Sequence, residues 1–169
     1  MADYERKIIE TAPDSLCPYE RNARTHSRKQ IQQIARSIER FGFTNPVLVS
    51  DAGEILAGHG RVAAAKLLGL RTVPTIALSH LSATERRAYV LADNKLALNA
   101  GWDRETLAIE LQALIDLEFD VEVTGFSAAE IDLTIDEAGE GAADGRDAPE
   151  DQIPLPAATA ITQRGALRL

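Results

Sequence analysis

Residues 53–69 read Gly-Glu-Ile-Leu-Ala-Gly-His-Gly-Arg-Val-Ala-Ala-Ala-Lys-Leu-Leu-Gly, and this run dictates a strand, a tight turn and a helix in immediate succession. Glu54 to Ala57 form the short apolar strand, and Gly69 stops the alanine-rich helix. A helix that begins on a glycine turn presents N–H groups with no partner inside it, and its dipole favours negative charge there. The natural guest is a phosphate. Gly58 and Gly60 keep side chains out of the way of a close-lying ligand. Arg61 adds a permanently charged planar fork, and His59 a donor that is neutral or charged. The same stretch also suits a plain β-to-α turn with a surface His and Arg.

A chain of 169 residues has room for one domain with a real core plus a tail. No apolar run approaches the roughly 20 residues needed to span a bilayer, and the acidic start is not a signal peptide. Together with the single Cys17, this predicts a cytoplasmic protein in a reducing compartment. The net charge of −8 hides a division: residues 20–95 hold twelve Lys/Arg against six Asp/Glu, whereas residues 103–140 hold twelve Asp/Glu against Arg104 alone. The basic part can meet phosphates, while the acidic part repels a DNA backbone.

In chain order, Arg6 to Thr11 predict a first strand, Pro13 to Ser15 a turn, and the polar, basic Tyr19 to His26 a loop. Ser27 and Gln30 form a capping box before the clearest helix, whose apolar stripe is Ile31, Ile34, Ala35, Ile38 and Phe41. Val47 to Val49 pair through Asp51-Ala52-Gly53 with the strand at Glu54. Thr72 to Leu78 form another strand, where Pro74 argues for an edge or a strand end. Ser82 and Glu85 cap a helix whose apolar residues are Tyr89, Val90, Leu91, Leu96 and Leu98, and which carries the polar run Asp93-Asn94-Lys95. Asp103 caps a helix with Leu107, Ala108, Leu111, Leu114 and Ile115 on its core side. Ser127 with Glu130 caps a short last helix through Ile131 and Ile135. These last two helices imitate a helix-turn-helix, but their outer faces are acidic, where a DNA reader needs cations and amides. From Ala138 to Leu169 no periodicity survives, which predicts a linker or flexible tail.

Three histidines and one cysteine lack metal-ligand spacing. Walker, nucleophile-elbow and dinucleotide-binding motifs are absent from the sequence. What remains is a small α/β domain of the α+β type, with one anion-ready turn, a basic loop and a polar patch on a later helix.

Those residues resemble the ParB/sulfiredoxin fold over about residues 6–100. The resemblance rests on Asn22-Ala23-Arg24, Ile34-Ala35-Arg36-Ser37-Ile38, Phe41-Gly42-Phe43 to Pro46, and Gly53 to Arg61. It continues through Ala64 to Gly69, Val73-Pro74 and Ala92-Asp93-Asn94. It implies a small mixed sheet with packed helices that holds a nucleoside triphosphate with magnesium. Gly58, His59, Gly60 and Arg61 would cradle the phosphates, Asn22 and Arg24 would close over them, Asp93 would assist catalysis and Asn94 would hold the metal. Clamps that hydrolyse CTP usually carry Gly-Glu-Arg-Arg at the turn and Glu-Asn on the later helix; here the matches are Gly58-His59-Gly60-Arg61 and Asp93-Asn94. The nucleophilic cysteine of sulfiredoxins has no counterpart in the turn. Beyond residue 100, Gly101-Trp102-Asp103 and Thr124 to Asp132 resemble ParB-like domains that precede DNA methyltransferases, often in phage or prophage regions. Ile161 to Leu167 resemble the start of such a methyltransferase, without its catalytic motifs.

The expected organisation is a domain at 1–100, an acidic helical extension at 101–137 and a tail at 138–169. The expected function is a nucleotide-binding module tied to DNA modification, with DNA or a DNA methyltransferase domain as partner and no membrane. Two alternatives stand beside it: an NTPase, phosphotransferase or nuclease, and an interaction domain that has lost nucleotide binding. The fold often dimerises, and no coiled-coil heptad marks a homodimer seam.

Overall fold

The structure, a computed structural model, describes residues 7–143. Five strands, β1 (Ile8–Thr11), β2 (Cys17–Pro18), β3 (Val47–Val49), β4 (Glu54–Ala57) and β5 (Val73–Ala77), form one sheet in the order β1-β5-β3-β4-β2. It is mixed: β1 pairs antiparallel with β5 and β3 with β4, while β5 with β3 and β4 with β2 are parallel. This is the expected α/β architecture. Pro74 sits at the second residue of a strand with neighbours on both sides, so it marks a strand end and not an edge. The parallel pairing to β3 begins at Thr75, so that ladder never calls on the N–H that Pro74 lacks. β2, two residues long, was not anticipated.

Helices cover both faces. Ile55 and Leu56 are neighbours in β4, both buried, and alternation sends them to opposite sides. Ile55 packs with Val47, Val49, Val62 and Val73 under α2 (His59–Leu67); Leu56 packs with Leu78 and Val90 of α3 (Ala83–Asn99). Burying each such side chain contributes about 1.5–3 kcal/mol. α1 (Arg28–Phe41) lies against α2. Its cap is only half of the predicted box: Ser27 Oγ accepts from the Gln30 N–H at 3.1 Å, but Gln30 Oε1 is taken by His26 Nδ1 at 3.1 Å. α3 has the full reciprocal box between Ser82 and Glu85. Beyond Val90, however, its expected apolar residues Leu91, Leu96 and Leu98 are exposed.

Two further helices, α4 (Arg104–Asp116) and α5 (Ala128–Ala143), flank a 3-10 turn at Val121–Thr124 around Leu111, Val121 and Ile131. Asp103 caps α4 by accepting from the Thr106 N–H at 2.8 Å. Ser127 and Glu130 cap α5 reciprocally. Ile115, expected in the core, is exposed, and α5 continues past Ile135 to Ala143. This unit joins the sheet domain through α1: Phe41 stacks on Phe119 with centroids 6.3 Å apart, Arg40 lies over the same ring, and Gln33 Nε2 donates to Gly125 O at 3.1 Å. Of the expected tail, residues 144–169 lie outside the described residues, as does the methyltransferase-like Ile161 to Leu167. Among the described residues no helix is long and apolar enough to cross a membrane.

Candidate functional site

The glycine turn is the mouth of a cleft of about 160 Å³ lined by Arg24, His26, Gly58, His59, Gly60, Arg61, Asp93 and Asn94, with Ile34, Leu56 and Ala57 behind them. β4 delivers the chain to Gly58, whose φ of 102° makes it the left-handed N-cap of α2. Only glycine takes that conformation without strain. No side chain caps α2, so the first N–H groups of the helix have neither an internal partner nor a side-chain one.

Both glycines are also needed for space. A Cβ on Gly58 would lie 2.9 Å from Arg61 Nη2, and one on Gly60 would meet Ile34 Cδ1 at 2.9 Å and His26 Cε1 at 3.2 Å. Arg61 is thereby folded back beneath the turn, where Nη2 donates to the Pro46 carbonyl at 3.1 Å. Its Nε is buried and has no hydrogen-bond partner. Burial depresses the basicity of this guanidinium, while Asp93 and Tyr89 oppose that trend by favouring its charge. A buried cationic N–H without an acceptor is costly.

His59 is more constrained than its sequence position implied. Its Nε2 accepts the backbone N–H of Tyr19 at 3.2 Å, so that nitrogen carries no proton and the ring donates through Nδ1. Burial, then the neighbouring His26, pushes the imidazole below its ordinary range and keeps it neutral. His26 was read only as part of a loop, yet it lines the cleft beside Gly60. Its one sequence signal is its distance of four residues from Gln30, the residue that orients it.

The expected closing loop divides its labour. Arg24 lines the cleft and reaches α3, donating from Nη1 to Asn94 Oδ1 at 3.3 Å. Asn22 is not part of the lining. Its side chain donates to Arg24 O at 3.0 Å and accepts the Arg24 N–H at 3.2 Å, so it shapes the loop that presents Arg24. Asn94 is committed on both atoms, since Nδ2 donates to Val90 O at 2.8 Å. Its oxygen, the expected metal ligand, here faces a guanidinium. Asp93 is exposed at the cleft wall. Among the described residues no group of three or more His, Cys, Asp and Glu side chains is placed to hold a metal ion.

A mixed sheet that feeds a glycine turn into a helix, with a basic loop and a polar helix closing the same cleft, defines a small α/β domain with its cleft at that turn. Residues 3–95, more than half of the chain, match the ParB N-terminal domain, and residues 105–164 match the ParB-methyltransferase HTH domain. The chain belongs to the ParB family. It is 49% identical over 81 residues to the ParB-like nuclease domain-containing protein YnaK of Escherichia coli strain K12; the match takes in 48% of this chain and 93% of that protein. The fold is similar to that of C-terminally truncated chromosome-partitioning ParB from Caulobacter crescentus complexed with CTP-gamma-S. The TM-score is 0.63 at 23% identity, covering 76% of this chain and 77% of that one. The same protein complexed to the centromeric parS site aligns with a TM-score of 0.45 at 22% identity, over 75% of this chain and 70% of that one.

Proposed function

We propose that this chain is a nucleotide-binding module serving DNA modification or another DNA transaction, with the phosphates of a nucleoside triphosphate held at Gly58, His59, Gly60 and Arg61. The observation that carries this reading is a cleft at the glycine turn that brings Arg24 and Arg61 together beside the N-terminus of α2, which no side chain caps. Arg24 supplies the second cation from the opposite wall. A cleft of about 160 Å³ fits phosphates rather than a whole nucleotide, since pockets for complete small ligands run to roughly 300–1,000 Å³. The nucleoside then projects beyond the Arg24–Asn94 pair. The CTP analogue on the Caulobacter ParB supports a nucleotide as the ligand, and the match to the ParB-methyltransferase HTH domain supports the tie to DNA modification. Magnesium would enter with the phosphates, with Asp93 as the carboxylate beside them; Asn94 serves it only after giving up Arg24.

Thermal unfolding with CTP, ATP, GTP and ADP plus magnesium tests the reading, with Arg61→Ala as control. A ligand at about 100 times its dissociation constant adds roughly 2.7 kcal/mol, or about 5–10 °C in Tm for a chain of this size. A rise with one nucleotide that the variant lacks is the expected result; no rise with any of them overturns it. The position of Asp93 on the cleft wall favours a second reading, an enzyme in which that acid activates a nucleophile. Asp93→Ala would then abolish turnover while leaving the thermal shift in place.

A further inference from the structure

The acidic unit built from α4 and α5 carries a groove that the nucleotide cleft does not explain. It holds about 310 Å³ between Trp102, Leu107, Phe126 and Leu133, with Glu130, Glu137 and Arg104 also lining it. Trp102 is 71% exposed and Leu133 58%, which leaves two large apolar side chains facing solvent side by side. Trp102 is held edge-on against Phe126, with centroids 5.6 Å apart, so the groove wall is fixed by packing. Its lining has two acids against one cation, Arg104, and it sits in a unit whose charge is overwhelmingly negative. Residues 103–140 hold twelve Asp/Glu, and Arg104, their sole cation, forms an ion pair with Glu137. Hydrogen bonds from Ser127, side chain before backbone, push the Glu130 carboxyl down and keep it ionised.

A matched helix-turn-helix family leads one to look for DNA on this unit, but the exposed residues of α5 include Glu130, Asp132 and Glu137. Phosphates would be repelled along such a helix, and base edges would find no amide or guanidinium on it. We propose that this groove docks a cationic amphipathic segment of a protein partner. An aliphatic side chain of the partner fills the space between Trp102 and Leu133, and flanking Lys or Arg residues meet the acidic rim. Apolar anchors set along one helix face are the general mode of such recognition, and the surrounding charge selects the partner's sign and speeds encounter.

Trp102 is the chain's single tryptophan, so its emission reports on the groove directly. The full chain is titrated with a helical peptide of Leu and Lys, its Leu and Glu counterpart, and a DNA duplex. The expected result is a blue shift with the Leu/Lys peptide alone, weakened at least tenfold by Leu133→Asp. That variant adds negative charge, so attraction by charge alone predicts tighter binding and overturns the groove. Equal binding of the Leu/Glu peptide overturns the charge selection. A Trp102 response to the duplex, or none to the Leu/Lys peptide, overturns the proposal outright.

Discussion

Arg61 and the two glycines beside it act as one object. Gly58→Ala forces a side chain into a left-handed conformation and places its Cβ 2.9 Å from Arg61 Nη2. The backbone strain is about 1–2 kcal/mol, and Arg61 must also leave Pro46. Urea unfolding should show that loss of stability, and the nucleotide-dependent rise in Tm should vanish with it. His59 gives a pH dependence of definite sign. Its folded pKa lies below the ordinary value of about 6.5 because of burial and His26. The unfolded chain therefore takes up this proton first as pH falls. The contribution to stability is complete above about pH 6.5 and is lost as pH drops from there through the folded pKa. Urea midpoints compared at about pH 7.5 and 5.5 should fall more for the natural chain than for His59→Asn.

Among the elements, α4 ends without a glycine: Glu118 takes φ 55° so that its N–H and that of Phe119 can bond Ile115 O and Leu114 O. This left-handed site is the natural place for glycine. Glu118→Gly should raise stability, because relief of about 1–2 kcal/mol of left-handed strain outweighs the roughly 0.5–1 kcal/mol of extra chain entropy that glycine loses, measured as a higher urea midpoint at unchanged slope. The elements that the sequence made legible are the ones whose signals are local. The glycine turn with its flanking strand and helix, the Ser82 and Ser127 boxes and the Asp103 cap all depend on residues a few positions apart. β2 was invisible because Cys17 and Pro18 become a strand only by lying beside Glu54 and Ile55. Gln30 misled for the same reason, since its preferred partner, His26, depends on the loop's path. Of the cleft's lining, Arg24, Gly58, His59, Gly60, Arg61, Asp93 and Asn94 were legible, His26 was not, and Asn22 falls outside it. Nothing in the order of letters says that Arg61 folds under the turn to Pro46, that Tyr19 fixes the His59 tautomer, or that Asn94 faces Arg24.

Across the whole molecule, α1 is the shared member. It packs on α2, with Ile34 against Gly60 of the glycine turn, and also meets Phe119, Glu122 and Gly125 of the acidic unit. Arg36 and Glu122, 3.6 Å apart and both exposed, add little. The ring of Phe119 is the stronger tie. Phe119→Ala should cost about 1–2 kcal/mol and separate the unfolding of the acidic unit from that of the sheet domain. Moderate salt should not produce that separation. Trp102 emission and far-ultraviolet circular dichroism should give one urea midpoint in the natural chain and two in the variant.

The sheet order carries a consequence for how the chain is made. β1 leaves the ribosome first, yet its partner is β5, with Ile8 opposite Ile76. Until Val73 to Ala77 have emerged, β1 has nothing to pair with. Pairings so distant in sequence are slow to form and leave nascent chains prone to association. Of the five strands described, the first to be made is thus one that must wait for the last before it can pair.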